Sequence, residues 1–259
     1  MAEVNLNKEL NLGSLEGNDI LTISQEGDVL TIKNATTGAT DAYTMQKGYT
    51  YTFNAGAGDD TITVDSSVDI GSLSLFGGDG NDTFVVNGRI GDIQGQAGND
   101  TITVTAGGVV RNLYGGIGND TFTVDGNAKN VYGDGIDGSG KEVGSGDDDI
   151  TINGTVENVR AGAGADDITI NGVVRHNVAM GAGADSLHLG ASSWVQGDIW
   201  SGGSGTGSDK ITIDVGAKAG DGTSGGTIHN RGGNLDIYGT LTGFKLDNGT
   251  NSDNTHFYK

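Results

Sequence analysis

Eight aspartates, Asp60, Asp82, Asp100, Asp120, Asp148, Asp166, Asp185 and Asp209, each close a Gly-x-Gly-x-Asp turn or a near variant, and a short apolar-alternating run follows each. The segments read AGAGDDTITV, GGDGNDTFVV, GQAGNDTITV, GGIGNDTFTV, GSGDDDITI, AGAGADDITI, GAGADSLHL and SGTGSDKITI. Carboxylates and backbone carbonyls are hard oxygen donors, a set suited to calcium rather than zinc or copper. Successive aspartates are 22, 18, 20, 28, 18, 19 and 24 residues apart. A period near 20 is the length of one solenoid coil, so stacked coils would put the carboxylates in one row. At the strand spacing of about 4.8 Å such a row repels itself strongly unless cations sit between its members. The formal net charge is −20, and about seven divalent ions between the coils would bring it to about −6, ordinary for a soluble domain.

The elements that must position these turns are strands. The chain has 49 glycines, no proline and no cysteine: glycines as corners, every strand residue able to donate to a ladder, and no disulfide framework. Alternation points Ile62 and Val64, Phe84 and Val86, Ile102 and Val104, Phe122 and Val124, and their counterparts through Ile211 and Ile213 into the coil. The neighbouring threonines, such as Thr101, Thr103, Thr121 and Thr123, point out, as exposed strand positions favour. The expected fold is all-β, a parallel β-solenoid of about eight calcium-bridged coils, with β caps at both ends.

The segments GGDGNDTFV and GGIGNDTFT resemble the GGxGxDxUx nonapeptide of the repeats-in-toxin family. In that family the glycines turn loop carbonyls toward calcium and the Asp completes a shell shared between coils. The resemblance implies ligands from the eight aspartates, with Asp209 in a degenerate turn, and from the loop residues Gly56, Gly58, Gly78, Gly80, Gly98, Gly116, Gly118, Gly146, Gly162, Gly164, Gly181 and Gly183. It also brings in Asp59, Asn81, Asn99 and Asn119, which precede the turn aspartates. A double-sided β-roll repeats the motif every nine residues. Here the second half of each coil differs and shares an Asn or Asp before an apolar residue, as in Asp92-Ile93, Asn112-Leu113, Asn130-Val131 and Asn158-Val159. The chain is thus similar to the one-sided variant found in the calcium-bound region of giant bacterial adhesins, and the resemblance covers residues 54–213.

Residues 1–53 read as an N-terminal capping segment, with a hairpin in LTISQEGDVLTIKN; residues 54–213 are the solenoid, and 214–259 a strand-rich C-terminal cap. GNDILTI at 17–23 echoes the repeat ahead of that boundary, and 133–146 reads as a surface loop.

Catalysis has little support: His176, His188, His229 and His256 form no metal-ligand spacing and no serine sits in a GxSxG elbow. Strong acidity excludes nucleic acid as a partner, and no apolar stretch spans a membrane. MAEVNLNKEL lacks the apolar run of a signal peptide, so the export route is not legible. An outward column holding Phe76, Tyr114, Tyr132, Arg160 and Trp200 is a potential partner surface, for a glycan or another chain. Weak multi-site calcium turns fill outside cells. The expected role is therefore a secreted or cell-surface structural module of a bacterial adhesin, matrix filament or surface layer, able to self-associate into filaments or lattices through its strand-like ends. The alternatives are an ice-binding module and a non-catalytic accessory module of a secreted carbohydrate-active enzyme.

Overall fold

Alternating TITV-type tetrapeptides form four-residue strands whose second and fourth side chains are buried, as in Thr101–Val104, Thr121–Val124 and Asp149–Ile152. In the computed structural model these strands stack in parallel and in register. Ile62 lies on Phe84, Phe84 on Ile102, Ile102 on Phe122, Phe122 on Ile150, and Ile150 on Ile168. Longer strands, among them Arg89–Ala97, Val109–Ile117, Asn127–Ile136 and Thr155–Ala163, stack as a second parallel face. The two faces enclose one continuous apolar column in which Ile102, Leu113, Phe122, Val131 and Ile150 are fully buried. The structure describes residues 2–9, 15–136, 142–202, 208–220, 226–230, 234–239, 243–247 and 254–258.

The stack has about nine coils. Stacking begins before Asp60: Ile20–Glu26 pairs in parallel with Thr61–Val64, placing Leu21 on Ile62 and Ile23 on Val64. The same strand forms an antiparallel hairpin with Val29–Asn34, which pairs with Thr40–Thr44, so the hairpin covers the end of the short-strand face. On the other face Ala2–Asn5 pairs with Tyr49–Ala57, followed by a single helical turn at Leu6–Glu9. Both devices shield an edge that would otherwise pair with another chain. At the far end parallel pairing continues past Ile213, with Ile211 on Ile237, Ile228 on Leu246 and Ile237 on Phe257. Within the insertion at 133–146, the strand ending at Ile136 folds back antiparallel on Glu142–Val143, so a ribbon stands where the sequence suggested only a loop.

The Asn-apolar pattern of the second half-coil is a hydrogen-bonded ladder. Asn112 Nδ2 donates to Asp92 Oδ1 at 2.8 Å, Asn130 to Asn112 at 2.7 Å and Asn158 to Asn130 at 2.9 Å. These amides tie each coil to the next at the corner where the chain enters the long-strand face.

Close stacking also explains the loop glycines. A Cβ on Gly118, whose φ is +126°, would lie 2.1 Å from the Gly98 carbonyl oxygen, and one on Gly98 would lie 2.0 Å from that of Gly80. Gln96 occupies the position of Gly78 and Gly116 in its coil and takes a φ of 85°. For a residue with a Cβ that conformation costs about 1–2 kcal/mol. Replacing Gln96→Gly is therefore expected to stabilise the protein by about 1 kcal/mol, read from the denaturant midpoint. Gly118→Ala is expected to destabilise it by about 2 kcal/mol or more. Gly107→Ala, whose Cβ would come no closer than 3.5 Å to any atom, is expected to be close to neutral. Equal effects of the two alanines would contradict this packing.

Candidate metal centre

The aspartate of each turn points inward. Asp60, Asp82, Asp100, Asp120, Asp148, Asp166, Asp185 and Asp209 are all 1–2 % exposed, and Asp19 joins them at 3 %. Each accepts, through Oδ1, the backbone N–H of the aspartate one coil earlier. The chain of bonds begins with Asp19 N to Asp60 at 2.7 Å, Asp60 N to Asp82 at 2.8 Å and Asp82 N to Asp100 at 2.7 Å. Asp100 N to Asp120 at 2.7 Å, Asp120 N to Asp148 at 2.8 Å and Asp148 N to Asp166 at 2.9 Å continue it. It ends with Asp166 N to Asp185 at 3.0 Å and Asp185 N to Asp209 at 3.1 Å. Asp209, in the degenerate turn, is thus a full member of the ladder.

From Asn18 to Asp147 the residue before the aspartate builds a second ladder running the opposite way. Asn81 N donates to Asp59 Oδ1, Asn99 N to Asn81 Oδ1 and Asn119 N to Asn99 Oδ1, each at 2.8 Å. These side chains are exposed. Adjacent residues of an extended segment face opposite sides, so an Asn-Asp pair staples its coil to the following one on the outside and to the preceding one on the inside. Asp59, Asn81, Asn99 and Asn119 therefore lie outside the buried row, each with an oxygen already engaged.

Within the row, one oxygen is left over. Oδ2 of Asp19, Asp60, Asp82, Asp100, Asp120, Asp148, Asp166 and Asp185 is buried with no hydrogen-bond partner. Native structures seldom leave such atoms without an ion, a water or a proton. The carboxyl groups of Asp82, Asp100, Asp120 and Asp148 sit against Gly77, Gly95, Gly115 and Gly133 of their own coils, where a Cβ would come within 2.0–2.2 Å of Oδ2. The glycines implied as ligands stack on one another from coil to coil. Carbonyl oxygens of Gly56, Gly58, Gly80, Gly98, Gly118, Gly146, Gly162 and Gly164 occupy the places where Cβ atoms of Gly78, Gly80, Gly98, Gly118, Gly146, Gly164, Gly181 and Gly183 would be. They run along the stack, and Gly116 packs in the same way on Gln96.

Burial decides the electrostatics. Desolvation pushes Asp148 up to about 8, Asp82, Asp120, Asp166 and Asp209 to about 7, and Asp100 and Asp185 to about 6. Asp60 is raised by the same cause. The backbone hydrogen bond at each carboxylate opposes the shift, and charged neighbours in the row reinforce it at Asp82, Asp120 and Asp148. Asp134 adds to the repulsion at Asp120, Asp148 and Asp166. It stands in register with Gly116 and accepts the Ala163 N–H at 2.9 Å. Asp19 was announced by Gly17-Asn18-Asp19 and the ILTI run after it; Asp134, in a glycine's place, had no such signal.

The donor set fits a hard cation. Each coil offers one buried, unengaged carboxylate oxygen, repeated along the axis, with carbonyl oxygens beside it and no nitrogen or sulfur ligand. Among the described residues no three His, Cys, Asp or Glu side chains converge as a metal cluster, so carbonyls must complete any shell.

The aromatic column is also in register, from Phe76 through Gln94, Tyr114, Tyr132, Arg160 and Ala179 to Trp200. Tyr114 and Tyr132 stack with centroids 4.8 Å apart, and Tyr114 is buried, which pushes its hydroxyl up to about 12. Trp200 stacks on His229 at 3.9 Å. Ring-on-ring packing along the ladder accounts for these contacts.

Compared with protein-family models, with curated proteins and with solved structures, the chain matches none.

A pH dependence follows from the row. Without divalent cations the folded state holds its carboxyl groups well above the ordinary value of 3.8, at about 6 to about 8. Between about pH 4 and pH 8 the folded chain then binds more protons than the unfolded one, so stability falls as pH rises through that window. The melting temperature of the chelated protein is expected to drop from pH 4 to pH 8, and Asp148→Asn is expected to flatten the slope. A melting temperature that rises over this range contradicts the buried row.

Proposed function

We propose that this chain is a non-catalytic, calcium-folded structural module of the bacterial cell exterior, of the kind that builds adhesins, matrix filaments or surface layers. The observation that carries the reading is the row of buried Oδ2 atoms without partners, one in each of eight successive coils. Oδ2 of Asp60, Asp82, Asp100, Asp120, Asp148, Asp166 and Asp185, with loop carbonyls, would hold the ions. Bound calcium supplies the positive charge that lets these carboxylates stay ionised while buried. Protons do the same at low pH, but at neutral pH they are too dilute to hold every site.

Several features support a structural rather than catalytic role. The buried carboxylates are engaged in a ladder, and His188, His229 and His256 pair with Asp214, with Asp198 and Asp247, and with Asp236. No helix among the described residues is long and apolar enough to cross a membrane. Calcium concentrations that fill weak, multi-site turns occur outside cells. About nine coils at about 4.8 Å each make a rod of about 40 Å, so a stalk or lattice needs further units end to end. Ice binding is less well supported: the outward short-strand column Thr61, Thr83, Thr101, Thr121 is continued by Asp149, Asp167, Ser186 and Lys210, too mixed to order a water lattice.

Folding and calcium binding are then one equilibrium. At neutral pH, circular dichroism in excess chelator is expected to show mostly disorder, with β signal restored cooperatively by millimolar calcium and not by magnesium, which requires tighter octahedral geometry. A full β spectrum without calcium at neutral pH would exclude the proposal. In the same titration the mid-stack Asp120→Asn is expected to raise the calcium midpoint several-fold, while Asp167→Asn, exposed on the short-strand face, leaves it unchanged. Equal shifts would show that the buried row does not hold the ions.

A further inference from the structure

The chain has 14 Lys and Arg against 34 Asp and Glu, so cations gathered in one place call for an explanation. Four of them, Arg89, Arg111, Lys129 and Arg175, line a single groove of about 430 Å³. It lies where the chain enters the long-strand face, at the opposite end of those strands from the aspartate turns. Pairing of Val110 with Ala128, Ala128 with Val156 and Val156 with Val174 fixes the register. The residues that follow, Arg111, Lys129, Glu157 and Arg175, therefore stand in successive coils, spaced by about 4.8 Å.

Part of this charge is already engaged. Arg89 pairs with Asp69 at 3.0 Å, and Arg111 grips Asp92 through Nε at 2.8 Å and Nη2 at 2.6 Å. Lys129 and Arg175 are exposed and form no ion pair among the described residues. Glu157 stands between them, half-buried. Val110, Ala128 and Val156 beneath the groove are turned into the core, so its apolar surface is the rim at Val109, 36 % exposed. Asn127 and Thr155 offer an amide and a hydroxyl along the wall. Gly71 leaves room for the Arg89 guanidinium, since a Cβ there would lie 3.1 Å from Nη2.

We propose that this groove binds a linear acidic polysaccharide, with carboxylate or sulfate groups recurring along the coil axis. The cations are strung along the stack rather than converging on a point, which suits a polymer better than a single small anion. The exposed Val109 with the amide of Asn127 and the hydroxyl of Thr155 matches the mixed C–H and O–H surface of a sugar chain. The acidity of the remaining surface repels polyanions, confining binding to this strip and disfavouring a nucleic-acid duplex, whose charge density is much higher. The inference does not depend on calcium being the ion in the aspartate row.

The test uses the full chain in millimolar calcium, with folding checked by circular dichroism. Binding is measured by fluorescence anisotropy to labelled oligogalacturonate, dextran sulfate and neutral dextran. The wild type is expected to bind at least one of the two acidic glycans, with affinity falling as salt rises, and not to bind neutral dextran; the arm that binds identifies the anionic group. The double variant Lys129→Glu, Arg175→Glu is expected to bind at least about tenfold more weakly. Lys47→Glu, an exposed cation outside the groove, is expected to change affinity less than about twofold. Absence of binding to both acidic glycans overturns the proposal, as does an equal loss in the Lys47 variant. So does sedimentation showing that the double variant dissociates a wild-type oligomer while glycan affinity is unchanged, which would make the groove a contact for a second copy. Circular dichroism separates the two readings: a chain that folds with calcium and ignores acidic glycans counts against the groove alone.

Discussion

Everything in this molecule follows from placing one ionisable carboxyl group per coil inside a stack whose repeat is about 4.8 Å. At that distance, away from water, like charges cannot coexist unaided. One oxygen of each group is tied to the backbone of the coil before; the other is left without a protein partner. The fold therefore contains a built-in demand for positive charge, met by protons in acid and, on the reading proposed here, by calcium at neutral pH. On that reading the chain is a conditional structure, whose apolar column closes only when the row beside it is neutralised.

The stacking distance imposes the rest. Glycine is required where one coil's carbonyl occupies the space of the next coil's Cβ, as at Gly80, Gly98 and Gly118. Side-chain amides then replace the missing side-chain packing at the corners. In the exposed ladder Asn81 and Asn99 accept through Oδ1 the backbone N–H of the next coil's asparagine, whereas in the ladder from Asp92 through Asn112, Asn130 and Asn158 each side-chain amide donates to the coil before. Because the inner aspartates and the outer asparagines bond in opposite directions, each coil is held from both sides, which suits a structure in which every repeat contacts only its neighbours.

The same one-dimensional logic organises the surface. Any residue type repeated at one position of the coil becomes a stripe, whether of threonines on the short-strand face, aromatics on the long-strand face or cations at the corner. A stripe recognises partners that are themselves periodic, such as a polymer or another solenoid. That is a more natural task for this architecture than shaping a closed pocket around a small substrate.

The sequence by itself determined the repeat, the inward and outward faces of each short strand and the positions of the turn aspartates, because those depend on alternation and on glycine's conformational freedom, both local properties. It also carried the earlier start at Gly17-Asn18-Asp19, legible as an echo of the motif. Only the tertiary structure decided which oxygen of each aspartate is spare, that the two ladders run in opposite directions, and that the insertion after Asp134 forms an antiparallel ribbon. Steps along the row vary from 18 to 41 residues, so alignment between coils is set by how each excess is extruded, which no local pattern encodes. For the same reason Arg89, Arg111, Lys129 and Arg175 share no motif and no constant spacing; stacking alone makes neighbours of them, through hydrogen bonds between residues far apart in the chain.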